Sequence, residues 1–117
     1  MGGNIGKPLI DFKNQRNNSN YHVIELSSFQ LESAPSFHSY ISILLNISYD
    51  HLDRYDSIDQ YVNQKKKILN KNKKKYNIIS IDDDYCKEIH NSLENANNIP
   101  ISISKKIKKG VYFLDED

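Results

Sequence analysis

A chain of 117 residues suffices for one modest domain, and an apolar share of 38% points to a small core. The formal net charge of +1 gives no overall field for a polyanion, and a single cysteine, Cys86, excludes an intrachain disulfide framework. No apolar run approaches a membrane span and no signal-peptide pattern opens the chain, so the expectation is a cytoplasmic protein with no membrane partner.

Met1 to Gly6 opens with a glycine turn that no strand precedes. Lys7 to Lys13 reads as a short helix with Pro8 in its first turn, where a missing N–H is tolerated, and Asn14 to Asn20 as a polar loop. Tyr21 to Leu26 is the first strand, and Gln30 to Ser33 a short helical piece. Tyr40 to Asn46 is nearly continuous in apolar residues, the pattern of a buried parallel strand. Ser57 is a good N-cap for a helix running to about Asn70, with Ile58, Tyr61, Val62, Lys65, Ile68 and Leu69 along one broad face. Tyr76 to Ile81 is a third strand, ending in Asp82-Asp83-Asp84. Asp84 to Asn95 reads as a helix, in which Cys86 is a packing residue rather than a nucleophile. Ile99 to Ser104 and Val111 to Leu114 complete the strands. Strands alternating with helices predict an α/β fold with a mostly parallel sheet flanked by helices; no internal repeat or long linker is visible.

Lysines cluster at Lys65-Lys66-Lys67, from Lys71 to Lys75 and from Lys105 to Lys109. Lys far outnumbers Arg, and Asn and Ile are abundant, as an AT-biased genome would produce without functional cause. The runs are therefore read as solvated faces, with no nucleic-acid partner expected.

Two polar clusters stand behind apolar strands. The first is Glu25-Leu26-Ser27-Ser28-Phe29-Gln30-Leu31-Glu32, a carboxylate at a strand end followed by hydroxyls; the second is Asn46-Ile47-Ser48-Tyr49-Asp50-His51-Leu52-Asp53-Arg54. In open α/β sheets, ligands collect beyond the carboxyl ends of strands. Taken singly, Glu25 is equally a cap, His51 a structural histidine and Lys65 one lysine among many. Lys65 nevertheless lies on the apolar side of its helix, where an ammonium is costly unless its charge is paired or removed.

Gly3-Asn4-Ile5-Gly6, the Glu25–Glu32 run, the Asn46–Arg54 run and Tyr61-Val62-Asn63-Gln64-Lys65-Lys66-Lys67-Ile68 together resemble the central domain of the Mur ligases, in order and spacing as well as in letters. The likeness is close over residues 2 to 85, and the SSFQLE continuation resembles the D-glutamate-adding branch. The resemblance implies the central, ATP-binding domain, a Rossmann-like P-loop ATPase-type fold truncated at its N-terminal side and spanning residues 1–117, with the UDP-binding N-terminal and the C-terminal ligase domains absent. It implies a fragment of an ATP-dependent amide-bond ligase of peptidoglycan synthesis, acting on UDP-N-acetylmuramoyl-L-alanine, D-glutamate and ATP through an acyl phosphate. The alternative is a catalytically inactive remnant or assembly module derived from that ligase.

Carried onto this sequence, the resemblance makes Glu25, His51 and Lys65 the catalytic and magnesium-binding residues, with Lys65 carbamylated so that an ammonium becomes a carboxylate-like ligand. Tyr61 at i−4 and Ile68 at i+3 select Lys65 over its neighbours Lys66 and Lys67. Asn4 and Ser27 match substrate-contacting positions. Asn46, Asp50 and Arg54 either shape the loop around His51 or serve structure alone. At Asp82-Asp83-Asp84 the family has an Asn-x-Asp-Asp-like stretch, and Ser80 replaces the Asn; a helix N-terminal cap is favoured there over a nucleotide contact. The chain contains no G-x-x-G-K-[ST] phosphate loop, and Gly6-Lys7-Pro8 does not supply one. The isolated fragment is therefore expected to be inactive, with an exposed sheet edge and the missing parts of a split ligase as expected partners.

Overall fold

In the computed structural model, the described residues are 2–8, 21–49, 53–94 and 97–113. The elements are β1 (Gly2–Gly3), β2 (Ile24–Glu25), α1 (Ser28–Ser33), β3 (Ile41–Leu44), α2 (Ile58–Lys66), β4 (Tyr76–Ser80), α3 (Asp84–Ser92), β5 (Asn98–Ser102) and β6 (Val111–Tyr112). Strands pair in two sheets, β1-β2 and β3-β4-β5-β6, and each pairing between these strands is parallel. The fold is α/β with parallel sheets flanked by helices, as the alternation of elements predicts.

Element identity follows the sequence except at Gly2–Gly3, read as a turn and found as a strand, and most ends are shorter, although α1 begins at Ser28 and β5 at Asn98, earlier than expected. The strand read from Tyr21 is regular only at Ile24–Glu25, and the helix from Ser57 closes at Lys66, with Lys67 as its C-cap. Ser57 is the N-cap, its hydroxyl accepting from the Gln60 N–H. Of the Lys7 to Lys13 helix, only Lys7 and Pro8 are described, and Lys7 instead bridges Gly2. Residues 9–13, the 14–20 loop, Asn95 and Leu114 lie outside the described residues.

One burial expectation is corrected. The apolar run at β3 is covered on one side only: Ser42 and Leu44 are buried, while Ile41 and Ile43 are each 48% exposed. The reason is that the core lies on the face carrying Leu44 and Ile79, where Tyr61, Leu69, Cys86 and Ile89 pack. Among the described residues, the opposite face of β3 is left open.

A buried polar knot ties the helical layer to the sheet. Asn77, on interior strand β4, is fully buried. Its Oδ1 accepts from the Asn70 N–H at 2.8 Å, while its Nδ2 donates to Asn70 O and to Asn98 Oδ1, both at 2.9 Å. Asn70 Nδ2 in turn donates to Ser42 Oγ at 3.0 Å, and Ser42 Oγ donates to Ile68 O at 2.5 Å. The chain leaving α2 is thus bonded to β3 and β4 through side chains, with Asn77 carrying the link on to β5, and the Ile68 carbonyl and both Asn70 backbone groups are satisfied without a strand neighbour. Replacing Asn77 with Leu removes these bonds and strands the Asn70 N–H and carbonyl and the Asn98 carbonyl oxygen. We expect Asn77→Leu to lose about 3–5 kcal/mol of unfolding free energy in urea denaturation, against about 0.5 kcal/mol or less for the exposed Asn63→Ala. Equal losses in the two variants would contradict the knot's role.

Candidate functional site

The polar strand ends are assembled from the first sheet outward. Gly3, at a φ of 125°, lies against Glu25 so closely that a β-carbon there would stand 2.0 Å from the Glu25 carbonyl oxygen. Only glycine allows that approach. The next residue uses it: the Asn4 N–H donates to Glu25 O at 2.9 Å, and Gly3 N–H to Lys7 O at 2.9 Å. The glycine turn therefore sets Asn4 directly beside Glu25, joining two predicted site residues that lie far apart in sequence.

Glu25 ends β2, half-buried, and its Oε2, like the Tyr55 hydroxyl and Gln64 Oε1, is buried with no hydrogen-bond partner among the described residues. A carboxylate oxygen withdrawn from water without a partner is costly, and a bound cation would satisfy it. That orphaned oxygen is the observation by which Glu25 fits a metal. Ser27 follows as the N-cap of α1. Its Oγ accepts from the Gln30 N–H at 3.3 Å, and Gln30 Oε1 accepts from the Ser27 N–H at 2.9 Å. This reciprocal capping box gives Ser27 and Gln30 of the SSFQLE run a structural role, holding the start of α1 immediately after Glu25.

Lys65 sits in the last turn of α2, half-buried, with its Nζ 5.3 Å from the centre of the buried Tyr61 ring. Helical side chains lean toward the helix N-terminus, so the ammonium reaches back over the i−4 residue. Its charge is felt at Cys86, where it acts to lower the thiol pKa. Burial and a hydrogen bond with Asp83 outweigh it and push the thiol up to about 12. Cys86 is thus an inert packing residue, as its sequence context suggests. His51 and Asp50 lie outside the described residues. Among the described residues, no group of three or more His, Cys, Asp or Glu side chains converges as a metal cluster.

The second polar segment is held by the start of α3. Asp83 caps that helix by accepting from the Cys86 N–H at 2.8 Å through Oδ1, and its Oδ2 accepts from the Ile47 N–H at 3.3 Å. Tyr85 adds an O–H donated to Tyr49 at 2.9 Å, a bond that drives the Tyr85 pKa up to about 12. The residues after β3 are therefore tied down from α3. Asp82 points elsewhere, to the end of β5: Oδ1 accepts from Ser102 Oγ at 2.5 Å and Ser104 Oγ at 2.6 Å, and Oδ2 from the Ile103 N–H at 2.8 Å. These bonds hold its carboxyl at about 2, against an ordinary 3.8. Arg54 stacks 4.2 Å from the Phe29 ring centre and lies 4.0 Å from Glu32, so its contacts are structural.

The comparisons with known proteins fall on this architecture. The Mur ligase middle domain matches residues 2–116. The chain belongs to that family. UDP-N-acetylmuramoylalanine--D-glutamate ligase of Rickettsia bellii (strain RML369-C) is 39% identical over 120 residues, covering 99% of this chain and 26% of that protein. The ligase of the same name from Rickettsia prowazekii (strain Madrid E) is 41% identical over 120 residues, with the same coverage of 99% and 26%. That of Citrifermentans bemidjiense is 37% identical over 116 residues, covering 98% of this chain and 25% of that protein. The chain thus spans about a quarter of the length of the curated relatives it matches. No helix among the described residues is long and apolar enough to cross a membrane.

Two features of this Mur ligase domain escaped the sequence reading. The capping box was legible as S-x-x-Q at Ser27–Gln30, whereas the Asp82 clamp pairs residues 20 apart and left no local signal. The clamp has a pH signature. A carboxyl whose pKa is depressed on folding stabilises fully above its unfolded value, and that contribution is lost as pH falls through the folded value. The difference in melting temperature between the wild type and Asp82→Asn is therefore expected to shrink as pH drops from 3.8 toward about 2. A difference that stays constant across this window would rule out the clamp.

Proposed function

We propose that this chain is the middle-domain portion of an ATP-dependent ligase that adds D-glutamate to UDP-N-acetylmuramoyl-L-alanine in peptidoglycan synthesis. The supporting observation is similarity along nearly the whole chain to ligases of that name, at 35–41% identity. In this reading the substrate carboxylate takes the γ-phosphoryl group of ATP, releasing ADP and forming an acyl phosphate. The amine of D-glutamate then attacks the acyl carbon, and inorganic phosphate leaves as the amide forms.

Glu25, His51 and Lys65, the last as its carbamate, would hold Mg2+, which when bound supplies neutralising charge among the phosphate oxygens. The unmatched Glu25 Oε2 supports its part in that set. Asn4 would orient substrate, a role supported by its backbone bond to Glu25, and the Ser27 cap holds the start of α1 after Glu25. Contact of Asn4 and Ser27 with the uridine-linked substrate belongs to the same proposal. The work of these residues is to position and to balance charge, which is most of what phosphoryl transfer asks of a protein. Because the 117 residues contain no G-x-x-G-K-[ST] loop, the chain by itself is expected not to turn over.

A chimera tests the assignment. The matching segment of the Rickettsia bellii ligase is exchanged for this chain, and ADP release is followed with each candidate amino acid. We expect release that depends on D-glutamate, and a drop in kcat of about 100-fold or more on Glu25→Gln in the chimera. A folded chimera that releases no ADP with D-glutamate, beside an active parent, would overturn the proposal and leave the remnant or assembly module as the reading.

A further inference from the structure

A groove of about 550 Å³ opens between the residues that follow α1 and the C-terminal end of α2. It lies away from Glu25. Residues 34–38 precede β3, and residues 68–72 and Lys75 precede β4, so the groove sits at the N-terminal edge of the parallel sheet. It meets α1 through Leu31 and the residues that follow the helix, whereas the capped end beside Glu25 is at Ser27.

Its lining is chemically one-sided. Leu31 and Leu69 are buried and, with Phe37, present an apolar floor. Lys67, Lys71 and Lys75 stand around it, and no carboxylate is among the described residues that line it. The ordinary role for lysines at this place is to balance the free carbonyls of a helix C-terminus. Here those carbonyls are already engaged. Gln64 O, Lys65 O and Lys66 O accept from the N–H groups of Lys67, Ile68 and Leu69, and Ile68 O accepts from Ser42. Among the described residues, the cations are thus left with no carboxylate in the groove to answer them, in a space of the volume that takes a small molecule.

We propose that this groove is a binding site for a small organic anion whose charged group faces Lys67, Lys71 and Lys75 and whose apolar part rests on Leu31, Phe37 and Leu69. A phosphate or carboxylate carried on an aromatic or aliphatic body has both halves of that chemistry. Occupancy would brace the turn after α1 against the end of α2.

The probe is 1-naphthyl phosphate, titrated into the isotopically labelled chain and followed by amide chemical shifts, with 1-naphthol and inorganic phosphate as its separate halves. Saturable binding is expected, with shifts at residues 34–38 and 66–72 and with each half binding more weakly than the whole. Lys71→Glu/Lys75→Glu is expected to weaken binding about tenfold or more, and Phe37→Ser to weaken it as well. Lys73→Glu/Lys74→Glu changes the net charge equally, lies outside the lining, and is expected to keep the affinity. The site is refuted if the folded wild type shows no saturation, if both double variants respond alike, if 1-naphthol binds as well as its phosphate, or if the shifts centre on Glu25.

Discussion

The side-chain amide of Asn77, fully buried on β4, bonds the backbone of Asn70 in both directions and reaches Asn98 on β5. Few side chains can do this. An asparagine offers one acceptor and two donor hydrogens in a plane, so it imitates a neighbouring peptide unit where no strand is present. Asn70 repeats the device toward Ser42 on β3. Because an unmatched buried polar group costs more than its bond contributes net, the network is satisfied as a whole or fails as a whole. It fixes where α2 ends and where β4 begins, and with them the line along which α2 crosses the sheet.

That line decides what the helix offers to the strand ends. With its C-terminus anchored at the N-terminal edge of the sheet, α2 projects Lys65 back over Tyr61, near enough to Cys86 to act on its thiol. The opposite edge is organised by short bonds between loops and helix starts. Asp83 joins α3 to Ile47, Ser27 and Gln30 close the start of α1 after Glu25, and Gly3 lets Asn4 reach the Glu25 carbonyl. Each of these uses the N-terminus of a helix or a glycine, the places where a backbone has groups or space to spare. Among the described residues, three buried side-chain oxygens stay unmatched, those of Glu25, Tyr55 and Gln64, and of these only Glu25 Oε2 belongs to a carboxylate.

The elements were readable because their signals are local. Ser57 before an apolar stripe announced α2, and the Asp82–Asp84 run announced the cap that Asp83 forms. Burial at β3 was not readable. The near-continuous apolar run looks like a strand covered on both faces, and only the packed structure shows that the face of Ile41 and Ile43 has no layer over it among the described residues. The candidate site residues Glu25, Asn4 and Lys65 were read from motif and order, and the fold brings Asn4 against Glu25. What no local pattern could carry was the contact of Asn4 with Glu25, the reach of Asp83 to Ile47 or the hold of Asp82 on Ser102, since these join residues about 20 or more apart in the chain. Lysine runs illustrate the converse: composition explained their abundance, and only the fold shows that some of them rim an apolar groove.

The central claim of the proposed function is that the unmatched carboxylate of Glu25 belongs to a cation site at the strand ends. Paramagnetic broadening by Mn2+ reads it directly, because a bound manganese ion quenches the amide signals nearest to it. The account predicts that, in bicarbonate-containing buffer, substoichiometric Mn2+ erases the signals of Asn4, Glu25 and Leu26 first, and that Mg2+ restores them. Broadening that begins at Asp82 to Asp84 and leaves Glu25 sharp, or that is unchanged in Glu25→Gln, would contradict it.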